Sequence, residues 1–165
     1  MAPLALLGIE IGMSFAVLAV LARHVVMPRL ADVPRDRALR PLLWIHTLRH
    51  MPLALLAPGQ IGRGVSYAAA SAIAWGDFAS GSLALVALAS LYAGSVYAMA
   101  SVQLFSVVSA IDIVVGLSLG LGTGAYDHAL GVGWYVLALY VPLVCVSQIL
   151  IAWLMFRSDP PRSLT

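Results

Sequence analysis

Residues 44–52 read Trp-Ile-His-Thr-Leu-Arg-His-Met-Pro, and this stretch decides how the chain folds. It puts His46, Arg49 and His50 inside segment 41–57, which otherwise has the composition of a membrane-spanning helix. An arginine near the middle of a bilayer costs at least about 2.5 kcal/mol, so it must find a partner or water. The rest of the fold must therefore supply a polar interior around this segment.

The composition of the whole chain is that of a membrane protein. Of its 165 residues, 62% are hydrophobic and 10% are charged, whereas a soluble domain has about 25% charged residues. All nine basic residues are arginine, a bias that suits a GC-rich bacterial genome. They form no basic face or motif that would indicate nucleic-acid binding, and the single Cys145 excludes a disulfide framework within the chain. We therefore expect the lipid bilayer, and no nucleic acid, as a partner.

Hydropathy predicts one all-α, polytopic transmembrane bundle over residues 1–156, with about five spans. A helix needs about 20 apolar residues to cross the bilayer core. The first apolar segment is expected to be a span and not a removed signal, because no basic region precedes it. Residues 65–75 are too few to cross and are predicted to form a short interfacial or re-entrant helix. Residues 157–165 are predicted to be a disordered cytoplasmic tail. The predicted spans are 3–22, 41–57, 78–93, 101–119 and 134–156.

The distribution of arginine predicts the orientation in the membrane. Most of the arginines fall in the loop 23–40 and in the C-terminal tail, and basic loops favour the cytoplasmic side. We therefore predict a multi-pass protein of the bacterial cytoplasmic (inner) membrane. Its N-terminus would lie outside and its C-terminus in the cytoplasm.

Several short motifs follow one another in an order that resembles a bacterial family of small, uncharacterised multi-span membrane proteins. They are His46-x-x-Arg49, Gly76-Asp77, Phe105 followed by Asp112, Trp134-Tyr135 and Val141-Pro142-Leu143. The likeness covers residues 43–154. The sequence departs from the family pattern at Gln148, where a His often stands, and at Ser106, where an Asn often stands. The resemblance implies a membrane topology and no particular activity.

Depth along the helices predicts which ionisable groups meet. At a rise of about 1.5 Å per residue, Arg49 lies about 12 Å from the inner end of its span and Asp112 about 16 Å along the fourth. Glu10 lies about 10 Å in from the outer end of the first span. All three fall near the middle of a core about 30 Å thick, so we predict a buried cluster in which Asp112 pairs with Arg49. Glu10, His46 and His50 complete the predicted polar core or pathway.

Two further charged residues are assigned to the outer surface. Asp77 follows Gly76 and is expected to cap the next helix, as aspartate does at helix starts. Arg63 could pair with it there. The alternative is that Asp77 lines an outer vestibule.

His46 and His50 are four residues apart and would share one face of an α-helix. Such a pair can chelate a metal, but a zinc site needs a third ligand, which the spacing does not identify. The neighbouring Arg49 would also repel a dication. We predict no cofactor and keep His46 and His50 as the candidate ligands for a metal or a haem.

Three functional classes remain open. The first is a non-enzymatic structural or accessory membrane protein, acting as a homo-oligomer or in a larger membrane complex. The second is an oligomeric transporter of protons or a solute, and the third is a haem- or metal-binding redox component. The serines lie in no motif typical of a nucleophile, so no catalytic residue is assigned.

Overall fold

The computed structural model describes residues 3–60, 66–124, 131 and 133–157, and these residues form helices and turns without a strand. The first helix, α1, consists of Pro3–Leu21, a π-helical turn Ala22–Val26 and a last turn Met27–Ala31. The second, α2 (Arg35–Thr47), continues directly into a 3-10 helix, Leu48–Leu56. The prediction of an all-α fold is confirmed for the described part of the chain.

The remaining helices are long. α3 is Tyr67–Tyr92 and α4 is Ala98–Gly122. α5 consists of Gly133–Tyr135, a π-helical turn Val136–Tyr140 and Val141–Phe156. The segments alternate in direction, so that α1, α3 and α5 end on the side where α2 and α4 begin.

The apolar core occupies the half of the bundle near that side. α3 packs along both α4 and the 3-10 helix, α2 lies against α3 and α5, and α1 packs chiefly against α5. The fully buried side chains of this core come from α2, α3, α4 and α5. They include Leu39, Leu43, Leu88, Phe105, Ile151 and Leu154. The polar residues discussed below lie beyond this core, towards the opposite end.

Four helices are long and apolar enough to cross a membrane, where the sequence predicts about five spans. They are Leu4–Ala31, Tyr67–Tyr92, Ala98–Gly122 and Gly133–Phe156. The predicted span 41–57 is not among them, because its α-helix begins earlier, within the charged stretch at Arg35, and ends at Thr47. Pro41, expected at the start of this helix, lies inside it.

One continuous helix replaces two predicted elements. The sequence predicts an interfacial helix over 65–75 and a separate span over 78–93, whereas α3 runs unbroken through both regions. Gly76 does not end the helix, because neighbouring packing holds a glycine in helical conformation more strongly than propensity opposes it. The helix begins instead at Tyr67 and is capped by Ser66, whose hydroxyl accepts a hydrogen bond from the Ala69 N–H at 3.4 Å.

Each π-helical turn ends two residues before a proline. Pro28 follows the turn Ala22–Val26, and Pro142 follows Val136–Tyr140. A proline lacks an N–H and its ring collides with the carbonyl four residues back. A π-helical turn shifts the bonding register and accommodates the ring. This explains why α1 continues past the predicted end at residue 22 through a segment predicted to be a loop.

The change from α-helix to 3-10 helix after Thr47 redirects the side chains of the opening stretch. An α-helix turns about 100° per residue and a 3-10 helix about 120°. With the change at Thr47, Arg49 comes within about 20° of the direction of His46, and His50 turns about 100° away from it. The burial agrees, because His46 and Arg49 are buried and His50 is exposed.

A buried arginine cluster as the candidate functional site

Arg49 lies at the start of the 3-10 helix and is almost completely buried, with 2% of its surface exposed. Its segment packs closely on α3 at Gly81. A Cβ atom added to Gly81 would lie 3.4 Å from the His46 carbonyl oxygen and 3.5 Å from the Arg49 Cβ. These are ordinary van der Waals distances, so a residue as small as glycine or alanine suits this approach of the two segments, as is common at helix contacts in membranes.

The Arg49 guanidinium uses all three of its nitrogens in hydrogen bonds to other helices. Nε donates to Asp77 Oδ1 of α3 at 2.7 Å, and Nη1 donates to Ser109 Oγ of α4 at 2.6 Å. Nη2 donates to Asp112 Oδ2 of α4. The predicted pair between Arg49 and Asp112 is present in the structure, and Asp77 is a second ionic partner.

Asp112 lies between α3 and α4, where Ser80 donates a hydrogen bond to it and Gly76 leaves space for it. Ser80 of α3 donates from Oγ to Asp112 Oδ2 at 3.3 Å. The other carboxylate oxygen, Oδ1, occupies the space where a side chain at Gly76 would begin, and a Cβ added there would overlap it. Gly76 is therefore required for the approach of Asp112 to α3.

We call Arg49, Asp77, Ser109 and Asp112 the Arg49 cluster. A second layer of hydrogen bonds connects this cluster to α5. Ser109 donates from Oγ to Gln148 Oε1 at 3.1 Å. Gln148 donates from Nε2 to Ser106 Oγ at 2.7 Å and to the Ser106 carbonyl at 3.2 Å. Gln148, where the sequence departs from the family pattern, thus provides hydrogen-bond partners for Ser106 and Ser109 of α4.

His46 lies in the same interior but makes different contacts. Its Nε2 is 2.9 Å from Ser147 Oγ of α5, and its ring meets Phe105 edge-on with centroids 4.9 Å apart. Nδ1 is buried and has no hydrogen-bond partner within the described residues. Ser147 Oγ also bonds the Val144 carbonyl at 2.9 Å, so its one hydroxyl proton serves only one of the two contacts.

His50 does not join His46 in a chelating pair. It is exposed, and its Nδ1 is 3.0 Å from the Thr47 carbonyl oxygen. Across the described residues, no group of three or more His, Cys, Asp or Glu side chains is arranged to hold a metal ion. The shared helix face on which the metal hypothesis depended is removed by the change of helical period.

Glu10 lies apart from the cluster. It is exposed on α1, and its Oε2 accepts a hydrogen bond from the Trp134 indole N–H of α5 at 2.6 Å. The prediction that it shares the buried site is wrong. Depth along a helix gives the height of a residue but not the side of the helix on which it lies.

Asp77 has a different role from the predicted one. It lies well inside α3, where it cannot cap the helix, and its carboxylate faces Arg49. Arg63, its predicted partner, lies outside the described residues. The sequence does contain one signal for the polar site around Arg49. Ser106, Ser109 and Asp112 of α4 recur every three residues and share one helix face.

The charges of the cluster do not balance. One guanidinium faces two carboxylates, whose side chains are 19% (Asp77) and 12% (Asp112) exposed. The hydrogen bonds of the cluster can hold the 3-10 helix, α3 and α4 in one register. The excess carboxylate can also take up one further positive charge.

Replacement of Gly76 by alanine tests the packing of Asp112. We expect Gly76→Ala to lower the stability by about 1–3 kcal/mol, because the added methyl group overlaps Asp112 Oδ1 and must displace it. Gly8→Ala is the matched control, since Gly8 is also helical and has no atom within 4 Å of an added Cβ. Thermal unfolding in detergent measures the difference between the two variants. Equal stability of the two variants would contradict the described position of Asp112.

The comparisons with known proteins agree with a family of unknown function. A family model described as a domain of unknown function (DUF8737) matches residues 6–156. No curated protein and no solved structure matches the chain. The predicted resemblance to an uncharacterised family is confirmed, and the chain belongs to the DUF8737 family of domains of unknown function.

Proposed function

We propose that this protein is a small integral membrane protein of structural or accessory type, in which the Arg49 cluster fixes the register of the helices. The observation that supports this most directly is that the Arg49 guanidinium bonds residues of two other helices at once. Such a network is satisfied in only one relative placement of the 3-10 helix, α3 and α4. Buried polar groups that specify one arrangement in this way are known in other helical assemblies.

The membrane setting is part of the proposal. The four long apolar helices support a multi-pass protein, and the concentration of arginines at one end supports an orientation with that end in the cytoplasm. A bacterial inner membrane is consistent with the arginine-only basic composition. We also propose that the protein acts with other copies or in a larger complex, for which α1 offers a free face, since it packs chiefly against α5 and leaves most of its apolar surface exposed.

Removal of Arg49 tests the structural role. We expect Arg49→Leu to reduce the folded yield strongly, because breaking a buried ion pair from one side costs about 3–5 kcal/mol. The double variant Arg49→Leu/Asp112→Leu should recover part of that loss, since it removes one of the two stranded carboxylates. The measurement is the monodisperse fraction after detergent extraction from membranes.

Glu10→Leu provides the control for this experiment. It also removes a charge from an apolar helix, but Glu10 lies outside the cluster, so its folded yield should stay close to that of the wild type. Wild-type yield for Arg49→Leu would contradict the structural role, and so would a double variant that folds no better than the single one.

Proton transport is the second candidate, and the unequal charge of the cluster is the observation that favours it. Asp77 and Asp112 share one guanidinium, so one carboxylate lacks a counter-charge. A carboxylate in apolar surroundings becomes neutral by taking up a proton, and ionisable groups inside membranes commonly form proton relays. The hydrogen bonds from Arg49 through Ser109 and Gln148 to Ser106 extend this polar region about 9 Å along α4.

Proton flux into liposomes tests this candidate. If the cluster conducts protons, wild-type flux should be lost in Asp112→Asn, because the amide cannot exchange a proton. Flux should persist in Glu10→Gln, which alters a carboxylate outside the cluster. No flux in the wild type, or equal flux in the wild type and in both Asp77→Asn and Asp112→Asn, would contradict transport through this site.

A further inference from the structure

The end of the bundle where α1, α3 and α5 finish contains six described arginines, and we call it the basic end. Three of them bind the protein itself. Arg157 donates to the Leu30, Ala31 and Val33 carbonyls, and Arg35 donates to the Arg157 carbonyl. Arg40 donates to the Leu91 carbonyl at 3.1 Å, pairs with Asp36 at 3.4 Å and lies over the Tyr92 ring.

The side chains of the other three arginines do not bind the protein in this way. They are Arg23, Arg29 and Arg37. Each is exposed, and none of their guanidinium groups makes a hydrogen bond or an ion pair with another residue in the described part of the chain. Of the two aspartates that the structure describes at this end, Asp36 pairs with Arg40 and Asp32 is exposed. Among the described residues, the basic end therefore has an excess of positive charge that its two aspartates do not offset.

The length of α1 puts two of these arginines at the level of lipid headgroups. Its candidate span Leu4–Ala31 has 28 residues and is about 40 Å long, which exceeds the bilayer core of about 30 Å. Counted from Leu4, Arg23 lies about 28 Å along the helix and Arg29 about 37 Å. If the span enters the core near Leu4, Arg23 lies at the boundary of the core and Arg29 lies in the headgroup layer.

Exposed aromatic side chains lie near the same level, the proposed boundary between the bilayer core and the headgroups. Trp44, Tyr92 and Tyr97 are all exposed near the basic end, and Tyr97 retains 73% of its accessible surface. Tryptophan and tyrosine favour the membrane–water interface. Arg37 lies in the first turn of α2, seven residues before Trp44 and therefore beyond this aromatic level.

We propose that Arg23, Arg29 and Arg37 form a binding surface for the headgroup phosphates of anionic phospholipids. Charge complementarity supports the choice of ligand, because anionic lipid attracts basic segments next to a membrane span. The planar guanidinium also binds phosphate oxygens through paired hydrogen bonds. This inference rests on the proposed insertion of the protein in a bilayer.

Quenching of tryptophan fluorescence by brominated lipids tests the surface. The full chain is reconstituted in phosphatidylcholine vesicles, with Trp75→Phe and Trp134→Phe, so that Trp44 and Trp153 at the basic end give the signal. Brominated phosphatidylglycerol is compared with brominated phosphatidylcholine, and the ratio of quenching gives the lipid preference. We expect at least about a fivefold preference for the anionic lipid at low salt, the effect of one arginine near an anionic surface.

The variants separate this surface from general charge effects. Changing Arg23, Arg29 and Arg37 together to glutamine should bring the preference close to one. Asp32→Asn should raise the preference, since it removes an opposing charge from the basic end. Glu10→Gln is the matched control, because it alters charge near the other end of the bundle and should leave the preference unchanged. High salt should weaken the wild-type preference, as screening requires.

Two results would overturn the proposal. One is an equal response of the wild type to both lipids, as for merely solvated arginines or for arginines that bind an acidic protein. The other is an undiminished preference in the triple variant. Flotation of the vesicles is measured first: protein that does not float with lipid contradicts membrane insertion, whereas protein that floats without a lipid preference contradicts only the phosphate surface.

Discussion

A buried guanidinium that cannot lose its proton is the constraint on which the rest of this structure depends. Arg49 must be neutralised where it lies, and the bundle supplies Asp77 from α3 and Asp112 from α4. The carboxylates come within reach only because the helices approach closely. Gly76 leaves room for Asp112, and at Gly81 the 3-10 helix lies within van der Waals distance of α3. The glycine at position 76 is therefore required by the buried charge as well as favoured by lipid packing.

The change of helical period after Thr47 is equally important for the site. A continuous α-helix would put His46 and His50 on one face, about 40° apart. The 3-10 segment instead aligns Arg49 with His46 and turns His50 outwards. Pro52 lies inside the 3-10 helix, where the absence of its N–H and the bulk of its ring oppose a return to the α-helical pattern. The helical period of the backbone after Thr47 thus decides which ionisable side chains meet.

The sequence predicted the all-helical fold and the pairing of Arg49 with Asp112, because a charge in an apolar segment is conspicuous and helical rise converts spacing into depth. It did not predict the placement of Glu10, since groups at equal depth can face opposite sides of a bundle. Asp77 was mistaken for a helix cap because Gly76-Asp77 has the composition of a helix start, whereas packing against Asp112 requires a glycine inside the helix. The contribution of Gln148 depends on contacts between α4 and α5, which no local pattern contains.

The direct test of this account is a measurement on the Arg49 side chain in a lipid bilayer. Solid-state NMR of the protein with ¹⁵N-arginine and ¹³C-aspartate measures dipolar couplings between the guanidinium nitrogens and the carboxylate carbons. The structure predicts strong couplings from Nε to the Asp77 carboxylate and from Nη2 to the Asp112 carboxylate, assigned by their loss in Asp77→Asn and Asp112→Asn. A guanidinium that couples to neither carboxylate, or that rotates freely in the bilayer, would contradict the central role given to this cluster.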